Sequence, residues 1–452
     1  MIINQNFKHP ANKIKYLLVG CFLSIVFPVS AQNFTVYKKG LYDYYGYYFR
    51  QQTDIPVSGL PTVADTSFGI ESIVLNIHHK RISDLKITLE SPDGASIWLT
   101  NRNGKDSGED YIATKFSQYG KNGLISAGRA PFTGNYRPDG QLEFLNHGQN
   151  PNGNWKLFIE DLKQGEAGFL DSVQLIFGHQ PAHITVVNHC DLEHIGLCKC
   201  ASGKQVGELL PDLIIVPFFT NNQVQEYAWN DKVYPGQLRL AATIANIGYG
   251  PMEIAGTKEW VCGNKKVDTC QTCANGKMSR LKVKQRIFSR SNDSLIIKEQ
   301  DAGTMYFENM PGHNHYHVDD WVAFRLLKKI KNKNIIIARG QKVSYCLFTT
   351  GIFYKRDSLS EINGRHYGED MPNYGLGNYP TCNIDKQGIS VGGYDTYGML
   401  YEGQFLQLPK GLKNGNYILE IEIDPHHWYK ESNKKNNIFQ KEITISKQEV
   451  VD

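Results

Sequence analysis

The sequence predicts a mainly β protein: an N-terminal β-sandwich followed by a second β-rich domain that contains disulfides. Short runs alternate apolar and polar residues with the period of two that a half-buried strand requires, and turn residues bracket them. Long helical periodicity is absent. The mature cysteines, from Cys190 to Cys382, all lie after residue 189, so composition itself divides the molecule near the stretch His179–His189.

In the first domain, Ser72 to His78 alternates in character, Leu85-Lys86-Ile87-Thr88-Leu89 repeats the pattern, and Ser91-Pro92-Asp93-Gly94 supplies a turn. Trp155 to Ile159 and Ser172 to Phe177 continue it, bracketed by turn residues at Pro151-Asn152-Gly153-Asn154 and from Gly165 to Gly168. This is the grammar of a β-sandwich. In the second domain, Leu238, Leu240, Ala242 and Ile244 fall on one face of extended chain. The run Phe324 to Ile330 is ambiguous by period, and Trp321 to Leu327 is placed as strand by its aromatic and β-branched content.

With 452 residues, 41% of them hydrophobic, the chain can bury substantial cores. A formal charge of +4 and the lack of any arginine- or lysine-rich block argue against nucleic acid as a partner. Lys13 and Lys15 precede the apolar run Tyr16 to Val29, which ends at Val29-Ser30-Ala31, so residues 1–31 read as a signal peptide. The rival, a lipoprotein box at Leu18-Val19-Gly20-Cys21, leaves about five apolar residues before the cysteine, fewer than such a region needs. No later run is long enough to span a membrane. Export and an even number of remaining cysteines (Cys190, Cys198, Cys200, Cys262, Cys270, Cys273, Cys346, Cys382) make disulfides the default expectation. A zinc knot built from Cys198-x-Cys200 and Cys270-x-x-Cys273 is the alternative.

The chemistry is concentrated in Gly312-His313-Asn314-His315-Tyr316-His317, where three imidazoles recur at every second residue. On a strand all three point to one face, within reach of one ion. All-imidazole ligation suits copper, zinc or iron, and copper binds most tightly in the divalent series.

Two resemblances add to this reading. Ile82-Ser83-Asp84-Leu85, Ser91-Pro92-Asp93-Gly94, Gly134-x-Tyr136-x-Pro138, Gly153-Asn154-Trp155 and the stretch Asp161 to Leu170 follow in the order seen in the P domain of proprotein convertases. The likeness covers about residues 50–178 and implies a β-sandwich, here without a protease domain: a stabilising or docking module for a protein or glycan partner. Further on, Gly340-Gln341-Lys342-Val343-Ser344-Tyr345-Cys346-Leu347 and the run from Cys382 through Gly392-Gly393-Tyr394-Asp395-Thr396-Tyr397-Gly398 resemble, with the histidines, the lysyl oxidase signature. That likeness extends from Pro211-Asp212-Leu213 to Asn436-Asn437. The implied organisation is a signal peptide over 1–31, a P-domain-like sandwich over 32–180, a cysteine-bearing linker over 181–208 and a lysyl-oxidase-like copper amine oxidase domain over 209–446.

The second resemblance implies copper on His313, His315 and His317, and a covalent lysine tyrosylquinone made from Lys342 and Tyr397. The quinone is an electron sink for oxidation of peptidyl lysine or another primary amine by dioxygen, giving an aldehyde, hydrogen peroxide and ammonium. Asp395 is the candidate base for the α-proton. A calcium site of some relatives maps to Asp212, Leu213, Glu431, Asn433, Asn436 and Asn437, with Asn433 replacing the usual aspartate and so lowering the expected affinity. Two other departures stand out. The family's cysteine before the first ligand is Gly312, so Cys382 needs another partner, Cys346 or one upstream, and the histidine beyond the third ligand is Phe324. The competing reading is an exported metal-binding or adhesion protein that keeps the histidines on the same fold and never builds the quinone.

Overall fold

The computed structural model describes residues 31–44, 49–104, 108–183, 190–269, 271–309, 315–340, 344–355 and 357–448. The signal peptide and the lipoprotein alternative at Cys21 lie outside these residues, as do His313, Gly312, Lys342 and Cys270. Among the described residues, no helix is long and apolar enough to cross a membrane.

The alternating runs of the N-terminal half become strands of two facing sheets. One has five strands in the order Gln32–Leu41, Gly168–Gly178, Gly69–His79, Tyr111–Ser117 and Phe132–Tyr136. The other has four, in the order Gln51–Val57, Gly153–Asp161, Leu85–Glu90 and Ser96–Asn101. The ladders are antiparallel except between Tyr111–Ser117 and Phe132–Tyr136. Ile73, Leu75, Ile87, Leu89, Trp155, Leu157, Val173 and Leu175 fill the space between the sheets, and the buried Trp155 indole N–H is satisfied by the Pro151 carbonyl at 2.8 Å. The expected turn at 91–94 is present: the Gly94 amide donates to the Ser91 carbonyl at 2.9 Å, with Gly94 at φ +92°, a conformation that glycine adopts without strain.

The C-terminal half is also built of strands, and Pro217–Asn222 is its one α-helix among the described residues. The stretch expected as one extended face is in fact two strands, Gln237–Leu240 and Ala242–Asn246, which join different sheets. Both faces are buried: Leu238, Leu240, Ala242 and Ile244 pack into one core while Ala241 and Ala245 pack into a second. The ambiguous run is a strand, Val322–Ile330, paired with Lys333–Arg339 and Gly415–Ile423.

Among the described residues three disulfides are formed, Cys190–Cys198, Cys262–Cys273 and Cys346–Cys382. The zinc knot is excluded, because Cys198 and Cys273 are each bonded to another cysteine. The even count does not resolve wholly into pairs among the described residues: Cys200 is a buried free thiol, and burial raises its pKa.

The described residues form one compact unit. The two halves meet through a polar latch in which Arg137 pairs with Asp357, the Gln118 amide donates to the Tyr354 hydroxyl at 3.1 Å, and that hydroxyl donates to Glu143. Trp98 packs edge-to-face on Phe348 with centroids 4.6 Å apart.

Candidate metal and redox centre

His315 to Val318 is a short strand closing one edge of the largest sheet, where Glu308 faces His315 and Tyr306 faces His317. Period two turns His315 and His317 to one side, and their Nε2 atoms converge to 2.9 Å. That separation fits a shared ion: two nitrogens each about 2.05 Å from one metal and about 90° apart would lie roughly 2.9 Å from each other. His317 is fully buried and His315 half-buried, so a ligand can approach from the His315 side.

Backbone pairing carries the histidine strand to the next motif. The Val318 amide donates to the Tyr345 carbonyl at 2.7 Å and the Tyr345 amide donates back at 3.2 Å. Buried Gln387 braces the same junction, donating from its side chain to the Tyr316 carbonyl at 2.9 Å and accepting from the Leu347 amide at 3.0 Å.

Tyr397 lies in the strand Gly393–Tyr397, whose five residues are all buried. Its hydroxyl accepts from the Cys346 amide at 2.8 Å and donates to the Cys346 carbonyl at 3.2 Å. Its ring stacks on Tyr345 with centroids 3.8 Å apart and planes 11° apart, while Tyr401 meets it edge-on at 5.4 Å. Tyr345 is fixed in turn by the Gln404 amide, which donates to its hydroxyl at 2.9 Å. Burial raises the phenols of Tyr345, Tyr397 and Tyr401 far above the ordinary tyrosine value.

Asp395 shares a strand face with Tyr397. It is completely buried, and neither carboxylate oxygen makes a hydrogen bond of regular geometry among the described residues; the nearest donors are the amides of Phe348 and Thr396. Desolvation therefore raises its carboxyl well above the ordinary range, and a charge there would act on all three phenols. His315 also lies beside the sulfurs of Cys346 and Cys382, all within 4.8 Å. Those sulfurs are bonded to each other, so they are not thiolate ligands.

In front of His315 opens a cleft of about 520 Å³. Phe348 and Cys382 line it from the second half, Lys86, Trp98 and Gln141 from the first. Sequence reasoning missed Tyr345, Gln387 and the first-half residues. Tyr345 was visible inside its motif, whereas nothing local in the sequence marks Gln141 as facing the histidines.

Two family models match: the proprotein convertase P-domain over residues 72–177 and lysyl oxidase over residues 370–451. The C-terminal region is therefore similar to the lysyl oxidase family. The matched segment includes Tyr397 and Asp395 and begins beyond the histidines and Lys342. Among curated proteins, protein-lysine 6-oxidase of Homo sapiens is 30% identical over 132 residues, 29% of this chain and 26% of that protein. The Sus scrofa protein of the same name is 30% identical over 132 residues, 29% of this chain and 44% of its own. Lysyl oxidase homolog 1 of Homo sapiens is 30% identical over 128 residues, 28% of this chain and 18% of that protein. The chain thus spans less than half the length of these relatives. The N-terminal sandwich matches the P-domain model that its turn motifs resemble, with three short 3-10 turns, Ile82–Asp84, Ile125–Ala127 and Leu142–Leu145, between its strands.

A second cluster gathers around the calcium positions. Glu431 accepts from the Leu213 amide at 3.0 Å and from the Asn437 side chain at 2.9 Å, while Asp212 accepts from Asn436 at 2.7 Å. The side-chain oxygens of Asn436 and Asn437 are buried without a donor, and burial raises Asp212 and pushes Glu431 up to about 7. Two orphaned acceptors beside two buried carboxyls suit a hard cation that takes oxygen ligands. Asn433 instead accepts from the Lys435 amide at 3.1 Å within its own loop.

Proposed function

We propose that this protein is an exported copper-dependent amine oxidase acting on peptidyl lysine or another primary amine. The observation that carries this is that one short segment, Tyr345–Cys346, ties together both described histidines and the Tyr397 hydroxyl. His313, His315 and His317 would hold copper, and Lys342 with Tyr397 would furnish the quinone. When assembled, that centre supplies an electron sink through which dioxygen oxidises the amine, releasing aldehyde, hydrogen peroxide and ammonium.

The chain's own residues do the rest. The Cys346 backbone fixes the Tyr397 oxygen, and Tyr345 fixes the plane of its ring, so neither must be ordered during reaction. Asp395 is the proposed base: it shares the strand face of Tyr397, and burial raises its carboxyl pKa, so it holds a proton more readily than an exposed carboxylate does. The sheets and the Cys346–Cys382 disulfide keep bulk water from Tyr397. Asp212, Leu213, Glu431, Asn436 and Asn437, with Asn433 in the same loop, form a structural calcium site that holds the C-terminal loop against the strand Leu213–Ile215. Export is supported by the three disulfides, which persist in oxidising compartments.

The competing reading, a metal-binding or adhesion protein without the quinone, is favoured by how fully the Tyr397 hydroxyl is satisfied as an ordinary core residue. Activity separates the two. The copper-loaded chain should release peroxide with an alkylamine in air, whereas Tyr397→Phe and Lys342→Arg should fall to background while retaining copper. A wild-type chain that binds copper and releases no amine-dependent peroxide supports the adhesion reading instead.

A further inference from the structure

The first half of the chain supplies one wall of the cleft in front of His315, and the chemistry of that wall points to a ligand. Lys86 and Trp98 stand on neighbouring strands, with the Lys86 ammonium 4.8 Å from the Trp98 ring centroid and 3.9 Å from Glu160. Arg50 is exposed, and its guanidinium lies 3.5 Å over the Phe158 ring. No carboxylate lines the cleft among the described residues; its charged groups there are Arg50 and Lys86, with His315 opposite.

Gln141 is the most telling member. It is only 4% exposed, and neither its amide nitrogen nor its amide oxygen has a hydrogen-bond partner among the described residues. Leaving such groups unsatisfied is costly, and because Gln141 lines the cleft, a ligand there can supply the missing partner. A side-chain amide presents a donor and an acceptor side by side, the complement of a peptide group and not of a simple alkylamine. The cleft volume falls in the range of sites that hold ligands larger than one amino acid.

We propose that the P domain forms the peptide-recognition half of the active-site cleft, with Gln141 pairing to the backbone of a lysyl peptide and Arg50 holding a carboxylate next to the lysine. Lys86 is balanced by Glu160, so the selectivity for a carboxylate is assigned to Arg50. Guanidinium suits the bidentate contact with a carboxylate. This inference rests on the amine oxidase reading of His315 and His317 and names its substrate.

The test uses the full copper-loaded chain and short fluorescent peptides in which norleucine replaces lysine, so that binding is read without turnover. A glutamate-flanked peptide should bind about tenfold more tightly than its glutamine-flanked counterpart, the effect of one charge-assisted contact. Arg50→Gln should erase that preference, Arg50→Glu should transfer it to a lysine-flanked peptide, and Gln141→Ala should weaken both peptides alike. The same order should appear in kcat/KM for the matching lysine peptides. An unchanged preference in both Arg50 variants overturns the proposal, and so does free lysine displacing the peptides at lower concentration than the peptides displace each other. If the binding preferences hold while no lysine peptide yields peroxide, the cleft assignment stands and the oxidase reading falls.

Discussion

Tyr397 is held by both polar groups of one residue, donating to and accepting from the Cys346 backbone inside a dry core. Its replacement by phenylalanine therefore has two separable effects. Chemistry is lost because no phenol oxygen remains, and stability falls by about 1–3 kcal/mol because the buried Cys346 amide loses its partner. Chemical denaturation should report that loss while copper content stays at one per chain. His315→Ala should have the opposite profile, with copper abolished and stability of the metal-free chain changed little, since His315 is half-buried. Full copper occupancy in that variant would refute the ligand assignment. At the calcium cluster, millimolar calcium should raise the melting temperature, because a ligand that binds only the folded state stabilises by mass action. Glu431→Gln should remove that response. At this scale the sequence was informative wherever chemistry repeats locally: alternation placed His315 and His317 on one side, and motif order pointed to Tyr397. It was silent on Asp395's isolation and on Gln387, since both depend on what the fold packs around them.

Strands were legible wherever one face meets solvent. Ser172 to Phe177 alternates between half-buried and buried positions as expected, and the turn at 91–94 lies where serine, proline and glycine cluster. The pattern blurred where both faces are buried, because Ala241 and Ala245 carry the same apolar signal as Leu240 and Ala242 and conceal the break between two strands. Disulfide pairing was beyond sequence, as it depends on which loops the sheets bring together. The Cys346–Cys382 bond closes a separation of 36 residues beside His315, and removing it with paired serines should cost roughly 3–4 kcal/mol on the chain-entropy account. In the first sandwich, Asp139 accepts from the Asn101 amide at 2.7 Å and the Asn103 side chain at 2.6 Å, yet desolvation pushes it up to about 7. The folded state thus holds this proton more tightly than the unfolded chain does. Stability should fall as pH rises from about 4 to about 7 and then level, with a contribution on the order of 4 kcal/mol. Asp139→Asn should flatten that slope in urea titrations taken across the same range.

Across the whole molecule, the likeness of each half to a P domain and to lysyl oxidase was readable, but the relation between the halves was not. Cysteine distribution suggests two independent units, whereas the structure joins them through Arg137–Asp357, the Gln118–Tyr354–Glu143 chain and the Trp98–Phe348 contact. Contacts between residues hundreds of positions apart leave no local trace in composition. A chain beginning at Cys190 should accordingly fold less stably than the full protein and lose its preference among peptides, even where it keeps copper. On the proposed function, Lys342 and Tyr397 form one covalent cofactor beside the histidines. Mass spectrometry of proteolysed protein, loaded with copper and exposed to air, tests it most directly. The digest should contain a peptide joining the Lys342 and Tyr397 segments, absent from Tyr397→Phe and from protein kept free of copper. Recovery of both segments only as separate, unmodified peptides from copper-replete, aerated wild type would contradict it.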